Sequence, residues 1–315
     1  MHGLFLLFVG IILLLIGGEF LVKSSVAISL KLRLSRIVIG MTVVSFSTSV
    51  PELIVSVMAG LKGHSNIALG NVIGSNIANI GLVLGLTAIL IPIWVKRATY
   101  RYNWPMMMVM SLLLWWFLYT GRTLSSFEGL ILFVLLISFT FYIIRRSYKD
   151  GDVEDDDYDA ELHQAKPFYV LLWFLVAGLG MYFGSRFLVD GAVELARLMG
   201  ISERVISLSL VAVGTSLPEL AASVISAAKK EKDLSLGNLI GSNIFNIGSV
   251  LGITAMIKPI SHFEPSILQS DIFWMLGISA LVVPLALLPP KNKIHWWKGV
   301  LLVSLYALFI WTAFA

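Results

Sequence analysis

There is no cysteine in this sequence, and charged side chains make up only 13% of its 315 residues, against about 25% in an ordinary soluble domain. The first absence excludes disulfides and thiolate metal sites. The five histidines, His2, His64, His163, His262 and His295, all fall in or beside expected loops, so soft or borderline metals lack their usual ligands as well. The second absence excludes a water-soluble core, because 57% of the residues are hydrophobic. What is present instead is a series of long apolar stretches from Leu4 to Ala315, each able to cross a hydrocarbon layer of about 30 Å as a helix. The first has neither a basic leading segment nor a small-residue cleavage site, and so reads as a retained span rather than a signal peptide. The net charge of +4 sits in short loops between these stretches, where it bears on membrane orientation and not on nucleic acid.

Apolar runs and their interruptions predict ten helices, near residues 3–29, 36–61, 67–93, 103–120 and 126–145, then 168–197, 203–228, 234–258, 270–288 and 295–314. Between the two sets runs an acidic stretch, 149–167, whose Asp and Glu residues leave nothing to pack. Three parts follow: a first five-helix half, 1–148, a solvated linker, 149–167, and a second half, 168–315. Shifting the sequence by 167 residues lays 38–90 on 205–257 with 27 identities in 53 positions and no gap. This is an internal duplication of an odd number of spans, so the second copy is expected to lie inverted in the membrane. Inverted repeats are a hallmark of secondary transporters, whose sites lie near the midplane where the repeats meet. The basic residues agree: 16 fall in the loops after helices 1, 3, 5, 7 and 9 and five on the opposite side. Cytoplasmic loops carry the excess, which puts the linker inside and both termini outside. The expected fold is an all-α polytopic membrane protein, ten transmembrane helices in two inverted five-helix repeats, in the cell membrane.

Polar residues concentrate in two matched pairs of segments, STSVPE (47–52) with GNVIGSNIAN (70–79), and GTSLPE (214–219) with GNLIGSNIFN (237–246). An acid in the middle of a membrane helix costs about 2.5 to 3.5 kcal/mol on insertion scales, so Glu52 and Glu219 are functional candidates. Glu52 and Asn79 lie about 13 residues on either side of the turn near Ser65, roughly 20 Å along each helix, and should meet at one depth. Glu219 and Asn246 repeat the separation. Pro51 and Pro218 cannot bond to the carbonyls of Ser47 and Gly214 and disfavour helical geometry at the residue before them, which frees carbonyl oxygens. Thr48 and Ser75 lie one turn from Glu52 and Asn79 and add oxygens to the same faces. Carboxylates, amide oxygens, hydroxyls and carbonyls together suit a hard cation: Ca2+ takes six to eight oxygens, and Na+ can share them. Gly70, Gly74, Gly81, Gly85, Gly237, Gly241, Gly248 and Gly252 are expected to serve close helix packing. Glu19 with Lys23, and Arg186 with Asp190, read as ion pairs four residues apart.

At these motifs the chain resembles the cation/calcium exchanger superfamily, and within it the prokaryotic and archaeal sodium/calcium exchangers, over nearly its whole length. The resemblance implies a Na+/Ca2+ antiporter working by alternating access, with no catalytic role and no cofactor. Its partners would be its substrates, Ca2+ and Na+, and the lipid bilayer, without nucleic acid or an obligatory protein partner. By motif position, Glu52 and Glu219 correspond to the central Ca2+ ligands, with the Thr48 and Thr215 carbonyls beside them. Ser45, Ser49 and Ser75 correspond to one Na+ site, and Ala212, Thr215, Ser216 and Ser242 to another; Asn79 and Asn246 take the middle position. Two departures stand out: Ser47 replaces a Gly, and Asn246 stands where some archaeal exchangers and the potassium-dependent branch carry Asp. A H+/Ca2+ exchanger, a K+-dependent exchanger and, more distantly, a cation channel are the alternatives.

Overall fold

The computed structural model describes residues 2–150, 162, 164–199 and 214–314. The chain is mostly helical: α1 (His2–Leu32), α2 (Arg36–Thr48), α3 (Val50–Lys62), α4 (Ser65–Leu90), α5 (Thr99–Gly121), α6 (Ser126–Asp150), α7 (Pro167–Leu198), α8 (Leu217–Ala228), α9 (Lys232–Ile257), α10 (Ile267–Leu287) and α11 (Trp296–Phe314). Among the described residues seven helices are long and apolar enough to span a bilayer, or eight if the bent pair α2–α3 is one span; α8 and α11 contain shorter apolar helices. The predicted helix near 203–228 falls partly, and the linker largely, outside the described residues.

The helices pack as two compact units, residues 1–48 with 146–238 and residues 49–145 with 239–315. Each takes segments from both halves of the sequence. In the first unit α1 runs along α7, and glycines let their backbones touch. A Cβ on Gly10 would lie 2.6 Å from the Leu188 nitrogen, and one on Gly184 2.7 Å from the Leu14 nitrogen. The start of α9 crosses α2 equally closely, since a Cβ on Gly40 would meet the Leu234 carbonyl and one on Gly237 the Ile37 carbonyl, each at 2.5 Å. Small residues supply the close approach that hydrophobic collapse cannot supply inside lipid. Glu19 pairs with Lys229 and not with Lys23, whose ammonium instead lies over the Trp173 ring at 4.1 Å. Arg186 and Asp190 do pair, at 3.8 Å.

In the second unit α4 and the distal part of α9 are the deeply buried helices, enclosed by α3, α5, α10 and α11. Close packing holds at Gly81 against Tyr306, Gly85 against Gly299 and Val303, and Gly252 against Gly129. It does not hold at Gly70 and Gly74, where an added Cβ would meet no described atom within 4 Å. Two short ladders that the sequence reading did not anticipate tie the loops. β1 (Ile93–Trp94) pairs antiparallel with β4 (Lys293–Ile294), and β2 (Thr123–Leu124) with β3 (Ile260–Ser261). Two residues are too few to show a strand's alternation in sequence. Beside β4 the fully buried Lys298 donates to the carbonyls of Leu288, Pro290 and Lys293 at 2.8, 2.9 and 2.6 Å.

Several helices widen into π turns, at Asn79–Leu84 in α4 and Asn246–Leu251 in α9, and again at Thr99–Asn103 in α5 and Ile267–Asp271 in α10. The first two begin at the asparagines that close the GNVIGSNIAN and GNLIGSNIFN segments. A π turn sets one surplus residue into the α register and re-aims the side chains at that point, a feature frequent at functional sites.

Candidate functional site

Helix α2 stops at Thr48 and α3 starts at Val50. Ser49 carries the break, with φ −86° and ψ 1°, and Ser216 has nearly the same conformation before α8, φ −89° and ψ 4°. The expectation that the residues preceding the prolines would be non-helical is corrected: Val50 is helical, Leu217 likewise begins α8, and the breaks lie one residue earlier. The reason is that Pro51 and Pro218 sit in the first turn of a new helix, where no N–H is required and the fixed φ suits the helix. The new helices start from the Ser49 and Ser216 carbonyls, which accept from Leu53 and Leu220 at 3.1 and 3.0 Å. Both serine hydroxyls are buried and have no hydrogen-bond partner among the described residues.

In the first unit Glu219 is fully buried one turn into α8. Its carboxylate oxygens make no well-formed hydrogen bond among the described residues, and the Thr48 hydroxyl stands beside them. Asn238 organises the surroundings. Its amide nitrogen faces the Glu219 carbonyl at 3.5 Å and the Ser223 hydroxyl at 3.1 Å, and its side-chain oxygen accepts from the Thr48 hydroxyl at 3.2 Å. Ser45, also fully buried, donates within reach of the Gly40 and Asn238 carbonyls at 2.8 and 2.9 Å. Thr215 is half-buried in the turn before α8, and Ala212 lies outside the described residues.

In the second unit the same pattern recurs around Glu52, fully buried at the start of α3. Asn71 donates to the Glu52 carbonyl at 3.3 Å and to the Ser56 hydroxyl at 2.9 Å, as Asn238 does for Glu219 and Ser223. Helix α3 packs on α4 and on the π turn that begins at Asn246. The Ser75 hydroxyl donates to the Asn71 carbonyl at 2.6 Å, which leaves its lone pairs free to accept; Ser242 is fully buried. Asn79 and Asn246 are fully buried too, each with its amide nitrogen engaged and its side-chain oxygen without a donor among the described residues. Buried polar atoms are nearly always partnered. Here the atoms left over are oxygens, at positions matched across the repeat. No three His, Asp or Glu side chains cluster among the described residues.

The motif letters of Asn71, Asn76, Asn238 and Asn243 stood out in the sequence without a role. Their positions in the network could not be read there, because spacing does not say which way an amide faces.

The comparisons with known proteins agree with this chemistry. The chain is 36% identical to the inner membrane protein YrbG of Escherichia coli over 98% of its own length and 95% of the relative's. It is 31% identical to the sodium/calcium exchanger MaX1 of Methanosarcina acetivorans, over 97% and 96%. The structure superposes on the sodium-calcium exchanger NCX_Mj, obtained without Na+ and Ca2+, with a TM-score of 0.83 at 31% identity, covering 98% of each chain. A family model described as sodium/calcium exchanger protein matches residues 2–145 and 169–315, and the chain therefore belongs to the sodium/calcium exchanger family.

Proposed function

We propose that this chain exchanges Na+ for Ca2+ across the cell membrane by alternating access, through one cage drawn from both repeats. The family consists of transporters and not enzymes, and needs no cofactor, the ions being its substrates. The cage would hold Glu52 and Glu219 as the charged Ca2+ ligands with the Thr48 and Thr215 carbonyls. Ser45, Ser49 and Ser75 on one side, and Ala212, Thr215, Ser216 and Ser242 on the other, would serve Na+, with Asn79 and Asn246 between them. The observation that carries this reading is the set of buried oxygens without donors among the described residues, Ser49 and Ser216 Oγ and Asn79 and Asn246 Oδ1, beside the fully buried Glu219 carboxylate. Acceptors that lack donors, and lie out of reach of bulk water, are matched by a cation. Coupling follows from exclusion, since two carboxylates cannot serve Ca2+ and a full set of Na+ at once.

The proposal extends to topology: ten spans as inverted repeats 1–148 and 168–315, with 149–167 in the cytoplasm and both termini outside. The loop ladders support the parity of that count. β1 follows the third span and β4 the ninth, while β2 follows the fourth and β3 the eighth, so each ladder joins loops that ten alternating spans put on one side. Purified protein in liposomes, loaded with Na+ and supplied with external Ca2+, should accumulate Ca2+ only while the outward Na+ gradient lasts. Uptake driven equally by an outward H+ gradient without Na+ would overturn the Na+ coupling.

A further inference from the structure

Asn76 and Asn243 are fully or almost fully buried and have no place in the proposed cage. Each donates its amide nitrogen to the other's backbone carbonyl, Asn76 to Asn243 O at 3.2 Å and Asn243 to Asn76 O at 3.3 Å. The same nitrogens point at thioethers, Met275 Sδ at 3.7 Å and Met107 Sδ at 3.6 Å. A carbonyl oxygen and a thioether sulfur can only accept. The amide end facing them is therefore NH2 in both residues, and neither amide can turn over without setting oxygen against oxygen. That fixes the other end as the acceptor. The Asn76 Oδ1 receives the Asn246 amide nitrogen at 3.1 Å, and the Asn243 Oδ1 receives the Asn79 amide nitrogen at 3.1 Å. Asn79 and Asn246 must then turn their own oxygens the other way, and those are the buried atoms left without a donor.

We infer that Asn76 and Asn243 are positioning residues that lock the Asn246 and Asn79 amides with oxygen, not nitrogen, presented to the transported cation. The inference rests on the proposed cage including Asn79 and Asn246. An amide free to turn over would present NH2 for part of the time, and an N–H aimed at a cation repels it. With the acceptor in place the oxygen-first orientation is already satisfied before the ion arrives; without it, that orientation leaves the NH2 buried and unpaired, a penalty well beyond the roughly twofold loss of a freely turning amide.

The test is a double-mutant cycle in Na+-loaded proteoliposomes, read as the Ca2+ concentration for half-maximal uptake and separately as the maximal rate. Asn76→Leu removes the acceptor that holds Asn246 and should raise half-saturating Ca2+ at least tenfold. A carboxylate shows oxygen whichever way it turns. Adding Asn246→Asp to the Asn76→Leu background should therefore recover at least fivefold, whereas Asn246→Asp alone sets a carboxylate oxygen against Asn76 Oδ1 and should gain less. A packing role for Asn76 would give no such dependence on background. The mirror pair, Asn243→Leu with Asn79→Asp, repeats the comparison should Asn76→Leu fail to yield monodisperse protein. Half-saturation within twofold of the natural protein in Asn76→Leu, or no recovery in the double variant, overturns the inference. Asn79→Ala and Asn246→Ala separate this from failure of the site itself: if neither alters Ca2+ affinity, the cage is wrong and the orientation has no object.

Discussion

Replacing Glu219 by Gln keeps the side chain's size and one oxygen while removing its charge. The residue is fully buried, and its carboxylate makes no well-formed hydrogen bond among the described residues. With an effective dielectric of about 20, one unit charge about 2.4 Å from a divalent cation is worth about 14 kcal/mol. Dehydration of both partners takes back much of that, yet even half, about 7 kcal/mol, matches most of the roughly 8 kcal/mol that a micromolar site amounts to in total. Glu219→Gln should therefore abolish Ca2+ binding. The folded protein without Ca2+ should be at least as stable as the natural one, since a neutral amide is less costly to bury than a charge. Thermal unfolding in detergent separates the two effects. Ca2+ at a hundred times its Kd stabilises the folded state by about 2.7 kcal/mol. For 315 residues, at about 2.1 cal/mol/K of unfolding entropy each, that is a rise of about 4 °C in Tm. The variant should show no Ca2+-dependent rise and a Ca2+-free Tm no lower than that of the natural protein. A preserved Ca2+ shift, or preserved Na+-driven uptake, would refute the assignment of Glu219.

Glu19→Gln should change transport by less than twofold, because its partner Lys229 lies in a half-exposed pair of a kind worth at most about 1 kcal/mol; a tenfold loss in the liposome assay would place Glu19 in the ion path. Lys298→Leu removes three part-buried hydrogen bonds to carbonyls, each with a net worth of about 1 kcal/mol, and should lower Tm by several degrees while the folded fraction transports normally. Uptake should not require K+, because Asn79 and Asn246 are neutral and two carboxylates balance Ca2+ alone; strict dependence on external K+ would move the chain to the potassium-dependent branch. Cysteines introduced at His2 and Tyr158 should label from opposite sides of sealed cells, and labelling of both from one side would defeat the odd-span repeat.

The duplication and the motifs were legible because they are linear. The offset of 167 residues placed Glu52 against Glu219 and Asn79 against Asn246, and the helical elements followed from runs of apolar residues. What escaped depended on contacts between distant segments. Glu19 has Lys23 four residues away, a sound helical pairing, but α8 brings Lys229 to it and Trp173 takes Lys23. Gly70 and Gly74 share the spacing of Gly81 and Gly85, yet only the latter face another described helix closely. The sequence puts the non-helical residue directly before Pro51, within one helix over 36–61; it lies one residue earlier, at Ser49, because Pro51 fits the first turn of a new helix.

The π turns at Asn79 and Asn246 bear on the history of the chain. Each is a one-residue surplus to the α register, and the two occupy equivalent positions under the 167-residue offset, as does the pair at Thr99–Asn103 and Ile267–Asp271 to within a residue. Independent insertions would have had to strike the same places twice. The economical order is that both surplus residues were already present before the gene doubled. The half-length ancestor then had its asparagine aimed by a widened turn, and fusion of two such copies preserved a geometry that was older than the single chain.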